Sequence, residues 1–266
     1  MTDDGDNSTL PRSESGPPPK QMTFAEHLDE LRGHVMRSAI VLGVLLVVGF
    51  IFQEELAAIV MMPFLDARAW IFETEGRWIE SLTFIDPAEG VFFHLKIAFY
   101  GAIIAGLPYF LYEMWRFIAS GLYSKEKKAV MRVLPVSFAL LIAGVSFCFF
   151  LVLPIGLRFM LGYGNPEFIK PEIRLESYLS FVVMLSALMG VVFQLPLVQI
   201  VVARFGILPA QTQADYRKAF IMGSLVAAAV ITPTGDAVTL LLVSVPMFVL
   251  YEIGILAARR VSRKRS

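Results

Sequence analysis

Two acidic side chains near the amino end of the chain stand one helical turn apart and could bind a cation. They are Glu26 and Glu30, in a segment from Met22 to Arg37 whose apolar residues recur at helical spacing. Two carboxylates at this spacing repel each other slightly, but a guanidinium between them would donate hydrogen bonds to both. Arg32 and Arg37 could supply that cation from within the segment. Spacing alone therefore leaves an internal ion pair and an external ligand both open.

A second segment with candidate chemistry runs from Glu113 to Lys128, where an aromatic-rich helix end turns at Gly121 into a new helix start. Glu126 stands in the first turn of that new helix, where the helix dipole favours a carboxylate. That position alone would explain the acid. The alternative is that Glu126 receives a guanidinium from a bound peptide, beside an aromatic surface. The aromatic residues of that surface would be Trp115, Phe117 and Tyr123.

The elements that carry these segments belong in a membrane. The 266-residue chain is 56% hydrophobic and 17% charged, with a mean hydropathy of +0.66, whereas soluble domains carry about 25% charged residues. Residues 1–21, rich in Pro, Ser, Gly and acids, are predicted to form a disordered cytoplasmic tail. The first apolar run, from Ser38, lacks a small-residue cleavage site and should remain as an anchor. The single cysteine, Cys148, excludes an intramolecular disulfide and a cysteine-based metal cluster.

Windows free of Asp, Glu, Lys and Arg predict six transmembrane helices, because ionised side chains at bilayer depth are costly. The last two should be short, with Pro233 and Gly235 forming a tight hairpin between them. The long outer loop from Glu54 to Glu89 should hold short helices lying over the bundle. The predicted fold is an all-α integral membrane protein with an amphipathic helix on the membrane at about 22–36, a membrane domain over 22–257 and a basic tail at 258–266. The spans are predicted at about 37–53, 90–117, 128–156, 176–204, 217–232 and 236–256.

The distribution of Lys and Arg predicts the orientation of the chain. If both termini are in the cytoplasm, the cytoplasmic segments contain 17 of the 23 basic residues and the outer segments contain six. Loops rich in Lys and Arg remain on the cytoplasmic side of a membrane. We therefore expect both termini to be cytoplasmic.

Several strings of residues resemble those of one family of membrane proteins. The string His27-Leu-Asp-Glu-Leu-Arg32, followed by the first span, resembles the amino-terminal signature of the TatC family. Later stretches are similar to the family in the same order, and together they extend from about residue 22 to residue 257. These stretches are Met62-Pro63, Trp115-Arg-Phe-Ile continuing to Tyr123-Ser-Lys-Glu126, Phe193-Gln-Leu-Pro196, Thr232-Pro-Thr-Gly-Asp236 and Val245-Pro-Met-Phe-Val-Leu-Tyr-Glu252.

The resemblance implies a cup-shaped bundle of six transmembrane helices in the cytoplasmic (inner) membrane of a prokaryote. It implies a non-enzymatic receptor for signal peptides with two adjacent arginines, and the core subunit of a Tat translocase that exports folded proteins by means of the proton-motive force. Implied partners are TatA-like and TatB-like single-helix proteins, further copies of the chain, and the lipid bilayer. No cofactor, metal ion or nucleic acid is expected.

The resemblance also implies roles for particular residues. Glu30 and Glu126 match the acidic signal-binding positions of the family, and each could accept a bidentate guanidinium contact. The surface around them would be shaped by Arg32, Trp115, Phe117 and Tyr123. Three further positions match family motifs but could serve architecture or transport, and these are Pro63, Asp236 and Glu252.

One position in the fourth span departs from the pattern of many relatives. Those relatives have a glutamate where this chain has Gln194, whose amide is polar but cannot change protonation state. We favour a polar contact with a partner helix or a signal peptide, and the alternative is a hydrogen bond between helices of this chain. An obligatory proton relay through Gln194 is excluded.

Other classes of membrane protein fit the sequence less well. A polytopic secondary transporter of a small solute is the alternative function, but it usually needs ionisable groups at mid-membrane and repeated halves. An intramembrane protease would need a nucleophile beside a helper at depth, whereas His27, His34 and His94 lie outside or near span ends. No phosphate-binding glycine loop is present, so we expect no ATP hydrolysis.

Overall fold

The computed structural model describes residues 24–83, 87–120, 131–163, 172–231 and 237–263. Within these ranges nearly all regular structure is helical, and the one extended contact is an isolated bridge between Thr83 and Arg174. The predicted all-α class is therefore confirmed. The predicted tail at 1–21 and the predicted hairpin turn at Pro233 and Gly235 lie outside the described residues.

Ten α-helices follow one another along the described part of the chain. A π-helical turn, Cys148–Val152, joins the fourth to the fifth, and the sixth continues into the seventh across Phe193 and Gln194. The bounds are α1 Phe24–Ile51, α2 Gln53–Glu75, α3 Pro87–Ser120, α4 Leu134–Phe147, α5 Leu153–Gly162, α6 Leu175–Val192, α7 Leu195–Arg204, α8 Ala210–Asp215, α9 Arg217–Ile231 and α10 Ala237–Arg263.

In the described part of the chain, five helical stretches are long and apolar enough to cross a bilayer, by length and composition. They agree with five of the six predicted spans, and they cover Leu28–Ile51, Ala88–Ser120, Leu134–Gly162, Leu175–Arg204 and Ala237–Val261. The helix at the remaining predicted span, α9, has 15 residues, whereas a spanning helix needs about 20. The last helix, α10, has 27 residues. The prediction that both final helices are short thus holds for α9 and is wrong for α10, which continues into the predicted basic tail.

The predicted amphipathic helix at 22–36 does not exist as a separate element. Instead α1 continues without a break through 28 residues from Phe24 to Ile51. Gly33 is the only glycine near the predicted boundary, where no proline occurs, and a single glycine does not end a helix. The helix is exposed on most sides, since His34 is the only side chain from Leu28 to Val48 in the buried class.

The outer loop forms one long helix where short ones were predicted. Helix α2 has 23 residues and contains Pro63, which removes one backbone donor and loosens the surrounding turn. In that turn the carbonyl of Val60 accepts a hydrogen bond of 2.6 Å from the Tyr178 hydroxyl of α6. Phe64 packs edge-on against the Tyr178 ring, at 5.7 Å between centroids. Pro63 therefore lies at an architectural contact between α2 and α6.

Candidate functional site

The candidate site is a pocket between the amino-terminal half of α1 and the carboxyl end of α3. Residues three, four and seven positions apart share one face of a helix, and this spacing brings the α1 residues of the pocket together. The pocket has a volume of about 280 Å³ and is lined by Glu30, Gly33, His34, Arg37, Arg116 and Ser120. Of the predicted site residues that the structure describes, only Glu30 lines it.

Glu30 is the pocket residue with an unused acceptor. Its side chain is half-buried, and within the described part of the chain its buried Oε2 has no hydrogen-bond partner. A buried carboxylate oxygen without a donor is unfavourable, so the site favours a ligand that brings N–H groups. The neighbouring Arg32 is exposed and is not among the residues that line the pocket.

A second carboxylate lies behind the pocket and is neutralised from within. Glu113 of α3 is only 3% exposed. It accepts a hydrogen bond of 2.9 Å from the Tyr109 hydroxyl and another from His34 Nδ1 of α1. The guanidinium of Arg37 stands 3.5 Å from the same carboxylate. A buried carboxylate needs such partners, because an unpaired buried charge is strongly destabilising.

The contacts of His34 indicate which nitrogen atom donates a hydrogen bond to Glu113. Arg37 Nη2 also lies 3.2 Å from His34 Nδ1, but an Nδ1 that carries a proton for Glu113 cannot accept one from Arg37. The favourable arrangement has Nδ1–H donating to Glu113, with the Arg37 guanidinium attracted to the carboxylate. His34 and Glu113 thus join α1 to α3 directly beneath Glu30.

The aromatic residues predicted to share one surface lie on different faces of α3. Phe117 is half-buried and meets the His34 ring edge-on, at 5.9 Å between centroids. Trp115 is 1% exposed, and its Nε1 donates a 2.8 Å hydrogen bond to Ser137 Oγ of α4. Two residues apart on a helix means nearly opposite faces. The prediction that Trp115 shapes the binding surface is therefore wrong, whereas Phe117 borders the site.

Gln194 is engaged inside the bundle. Its side chain is 6% exposed; Oε1 accepts a 2.6 Å hydrogen bond from Ser137 Oγ, and Nε2 donates a 3.1 Å bond to the Ser137 carbonyl. Both polar groups of the amide are satisfied within the chain. The structure thus has the alternative, a hydrogen bond between helices of this chain, and the favoured contact with a partner helix or a signal peptide stays a prediction.

Glu252 on α10 forms an ion pair with the first residue of α9. Its two carboxylate oxygens accept from Arg217 Nε at 2.6 Å and from Arg217 Nη2 at 3.0 Å. Beside this pair, Tyr251 stacks on Phe220 with 3.9 Å between ring centroids. Glu252 thus connects α9 to α10, and whether its motif position serves architecture or transport stays a prediction. The remaining predicted site residues, Tyr123, Glu126 and Asp236, lie outside the described residues.

Sequence reasoning missed His34, Tyr109 and Glu113 as members of the site. Two signals were available. Glu113 directly follows the charge-free window from Ile97 to Tyr112. An acidic side chain at the end of a predicted span needs a partner. Tyr109 precedes it by four residues, which places both side chains on one helix face. The partner on α1, His34, could not be found without knowing that α1 packs against α3.

Comparison with known proteins shows which family this chain belongs to. A family model described as "Sec-independent protein translocase protein (TatC)" matches residues 26–246. The chain belongs to the TatC family. That match includes Glu26 and Glu30 of the first acidic segment, the whole second segment and the described residues that line the pocket. Members of the TatC family are components of a protein translocase. The predicted role of this chain in protein transport is therefore confirmed.

Individual TatC proteins are similar along most of their length. The Sec-independent protein translocase protein TatC of Desulforapulum autotrophicum is 35% identical over 91% of this chain and 86% of its own length. TatC of Aquifex aeolicus is 33% identical over 92% of this chain and 98% of its own. A crystal structure of the twin arginine translocase receptor TatC has a TM-score of 0.76 at 33% identity, covering 90% of this chain and all of that one (100%).

Proposed function

We propose that this chain is the receptor for twin-arginine signal peptides and the core subunit of a Tat translocase, which exports folded proteins across the cytoplasmic membrane by means of the proton-motive force. Membership of the TatC family and the likeness to a twin arginine translocase receptor support this proposal. The observation that carries it is the half-buried carboxylate of Glu30, whose Oε2 has no donor among the described residues.

The chemistry of the pocket suits a guanidinium. Its volume of about 280 Å³ has room for the planar head group of an arginine side chain. A guanidinium offers several N–H donors in a planar fork, whereas an ammonium is a compact point charge. Arginine should therefore bind at Glu30 more tightly than lysine.

Residues around the pocket would complete the recognition of an arginine pair. Phe117 borders the site, and arginine side chains stack favourably on aromatic rings. Ser120, which lines the pocket, is six residues before Glu126 in the sequence. We propose that Glu126 supplies the second carboxylate, and that Tyr123 and Arg32 contact the peptide beside it.

The proposed orientation puts the pocket in the cytoplasm, where precursor proteins are made. The 17 basic residues on the predicted cytoplasmic segments support this orientation. In this orientation the ends of α1 and α3 that form the pocket face the cytoplasm. TatA-like and TatB-like single-helix proteins are the proposed partners, with further copies of this chain in the complex.

Binding of a synthetic twin-arginine peptide to the purified full chain tests the receptor role. We expect Glu30→Gln to weaken binding by roughly ten- to a hundredfold, because charge-assisted hydrogen bonds contribute about 1.5–3 kcal/mol. Asp29→Asn is the matched control, since Asp29 is an exposed acid on the same turn, and it should bind like the parent. Equal binding by the parent and Glu30→Gln, or equal losses in the two variants, would overturn the assignment.

A second experiment separates the translocase from a small-solute transporter. The full chain, expressed with its native membrane proteins and extracted in mild detergent, should co-purify with TatA-like and TatB-like proteins. Recovery without any single-helix partner, together with solute uptake by vesicles that contain only this chain, would favour the transporter.

A further inference from the structure

Arg37 of α1 lies near two carboxylates, that of Glu30 on the same helix and that of Glu113 on α3, and it contacts only the second. Arg37 lines the pocket together with Glu30. Its guanidinium, however, stands 3.5 Å from the carboxylate of Glu113, while Oε2 of Glu30 has no hydrogen-bond partner in the described part of the chain. Arg37 therefore pairs with the buried carboxylate of Glu113 and leaves Oε2 of Glu30 without a donor.

We propose that Glu113 is a positioning residue that retains Arg37 and thereby keeps Glu30 available to the arginines of an incoming peptide. Without this retention, Arg37 would turn to Glu30 and compete with the peptide for its carboxylate. The inference rests on the proposed function, because it assumes that Glu30 binds an external guanidinium.

Helix geometry allows Arg37 to compete in this way. Arg37 follows Glu30 by seven residues, which is about two turns and about 10.5 Å along the axis, on the same face. Side chains of a helix lean toward its amino end, so the arginine side chain leans toward Glu30. Because both residues line one pocket, a released guanidinium has a continuous path between the two carboxylates.

The charge of Glu113, more than its shape, should retain Arg37. A glutamine at this position could keep both contacts, because its amide oxygen can accept from His34 Nδ1–H while its NH2 group donates to the hydroxyl oxygen of Tyr109. It would lose the negative charge that attracts the guanidinium at 3.5 Å. Glu113→Gln thus preserves the packing between α1 and α3 while it releases Arg37.

A double-mutant cycle on the purified full chain tests the inference, with a synthetic twin-arginine peptide as the probe. We expect Glu113→Gln to weaken peptide binding by about two- to fivefold, which is the range for competition by a partly exposed ion pair. Adding Arg37→Gln should restore the affinity, because the competing cation is then gone. Arg37→Gln should therefore tighten binding more in the Glu113→Gln background than in the parent.

Arg116→Gln is the matched control for this cycle. Arg116 lines the same pocket, and no ion pair of 4.0 Å or less joins it to Glu113. Removing its charge should change binding by the same factor in both backgrounds. The inference is overturned if Glu113→Gln binds like the parent, or if Arg37→Gln has the same effect in both backgrounds.

Two further measurements distinguish a failure of this inference from a failure of the receptor proposal and from misfolding. If Glu30→Gln binds the peptide like the parent, the receptor proposal fails; if Glu30→Gln weakens binding and the cycle shows no coupling, only the present inference fails. Folding is checked by monodisperse elution in detergent. Should Glu113→Gln not elute as a folded species, Glu113→Asp replaces it, since a side chain shorter by one bond of about 1.5 Å holds Arg37 less closely and should weaken binding in the same direction.

Discussion

Ser137 and Gln194 are joined by two reciprocal hydrogen bonds inside the bundle. The Ser137 hydroxyl donates to Gln194 Oε1 at 2.6 Å, and Gln194 Nε2 donates to the Ser137 carbonyl at 3.1 Å. Trp115 extends the network by donating to the same hydroxyl at 2.8 Å. Three spans are thus connected through one serine that is 0% exposed, so water is not available to replace a lost partner.

Replacing Gln194 should destabilise the folded chain. Gln194→Met removes both hydrogen bonds and leaves polar groups of Ser137 without their partner, which we expect to cost about 1–2 kcal/mol. Thermal unfolding in detergent should show a lower transition temperature.

Gln199 provides the control for that experiment. It is also buried, at 8% exposure, but its side-chain Nε2 and Oε1 have no hydrogen-bond partner in the described part of the chain. Gln199→Met should therefore leave the transition temperature unchanged or raise it, because an unsatisfied buried amide is removed. Equal destabilisation by the two substitutions would contradict the assigned network.

Two glycines of α1 should respond in opposite directions to the same substitution. A Cβ at Gly49 would stand 2.7 Å from the carbonyl oxygen of Ala98 in α3, whereas a Cβ at Gly43 would meet nothing within 4 Å. Gly49→Ala should lower stability by about 1–3 kcal/mol through overpacking. Gly43→Ala should raise it by up to about 1 kcal/mol through the helix propensity of alanine. Thermal unfolding checks both, and a stable Gly49→Ala would mean that α1 does not approach α3 this closely.

The proposed orientation predicts which residues can be labelled from each side of the membrane. Cys148 is 0% exposed, so a Cys148→Ala chain provides a background for single cysteines. Arg32→Cys should react with an impermeant thiol reagent only from the cytoplasm. Tyr163→Cys, at a position that is 74% exposed near the other end of the bundle, should react only from outside. Reaction of both from one side would contradict the topology.

Much of the fold was predictable because lipid imposes a simple rule on sequence. Runs without charge must become spans, and five of the six predicted spans agree with long apolar helices. The predicted length was wrong for α10, which has 27 residues, because charge-free windows ignore how far a helix extends beyond the bilayer. The break predicted within α1 failed because a change from amphipathic to apolar sequence does not by itself end a helix.

The candidate site was predictable only in part. Glu30 and Phe117 were found from local spacing and from resemblance, and both border the pocket. The burial of Trp115 and of Gln194 was not predicted from the sequence, because burial depends on which helices pack together. His34 and Glu113 are 79 residues apart in sequence. No local pattern connects them, since their contact depends on the packing of α1 against α3.

The most direct measurement of the central claim is photo-crosslinking from the wall of the pocket. A photoreactive phenylalanine in place of Gly33, which lines the pocket and has nothing within 4 Å of an added Cβ, should crosslink a twin-arginine signal peptide in membranes. The same residue in place of Gly43, about 15 Å further along α1 and equally open, is the control. The account predicts a crosslink at position 33 that a twin-lysine peptide does not form. A crosslink that is stronger at position 43, or equal for the two peptides, would contradict it.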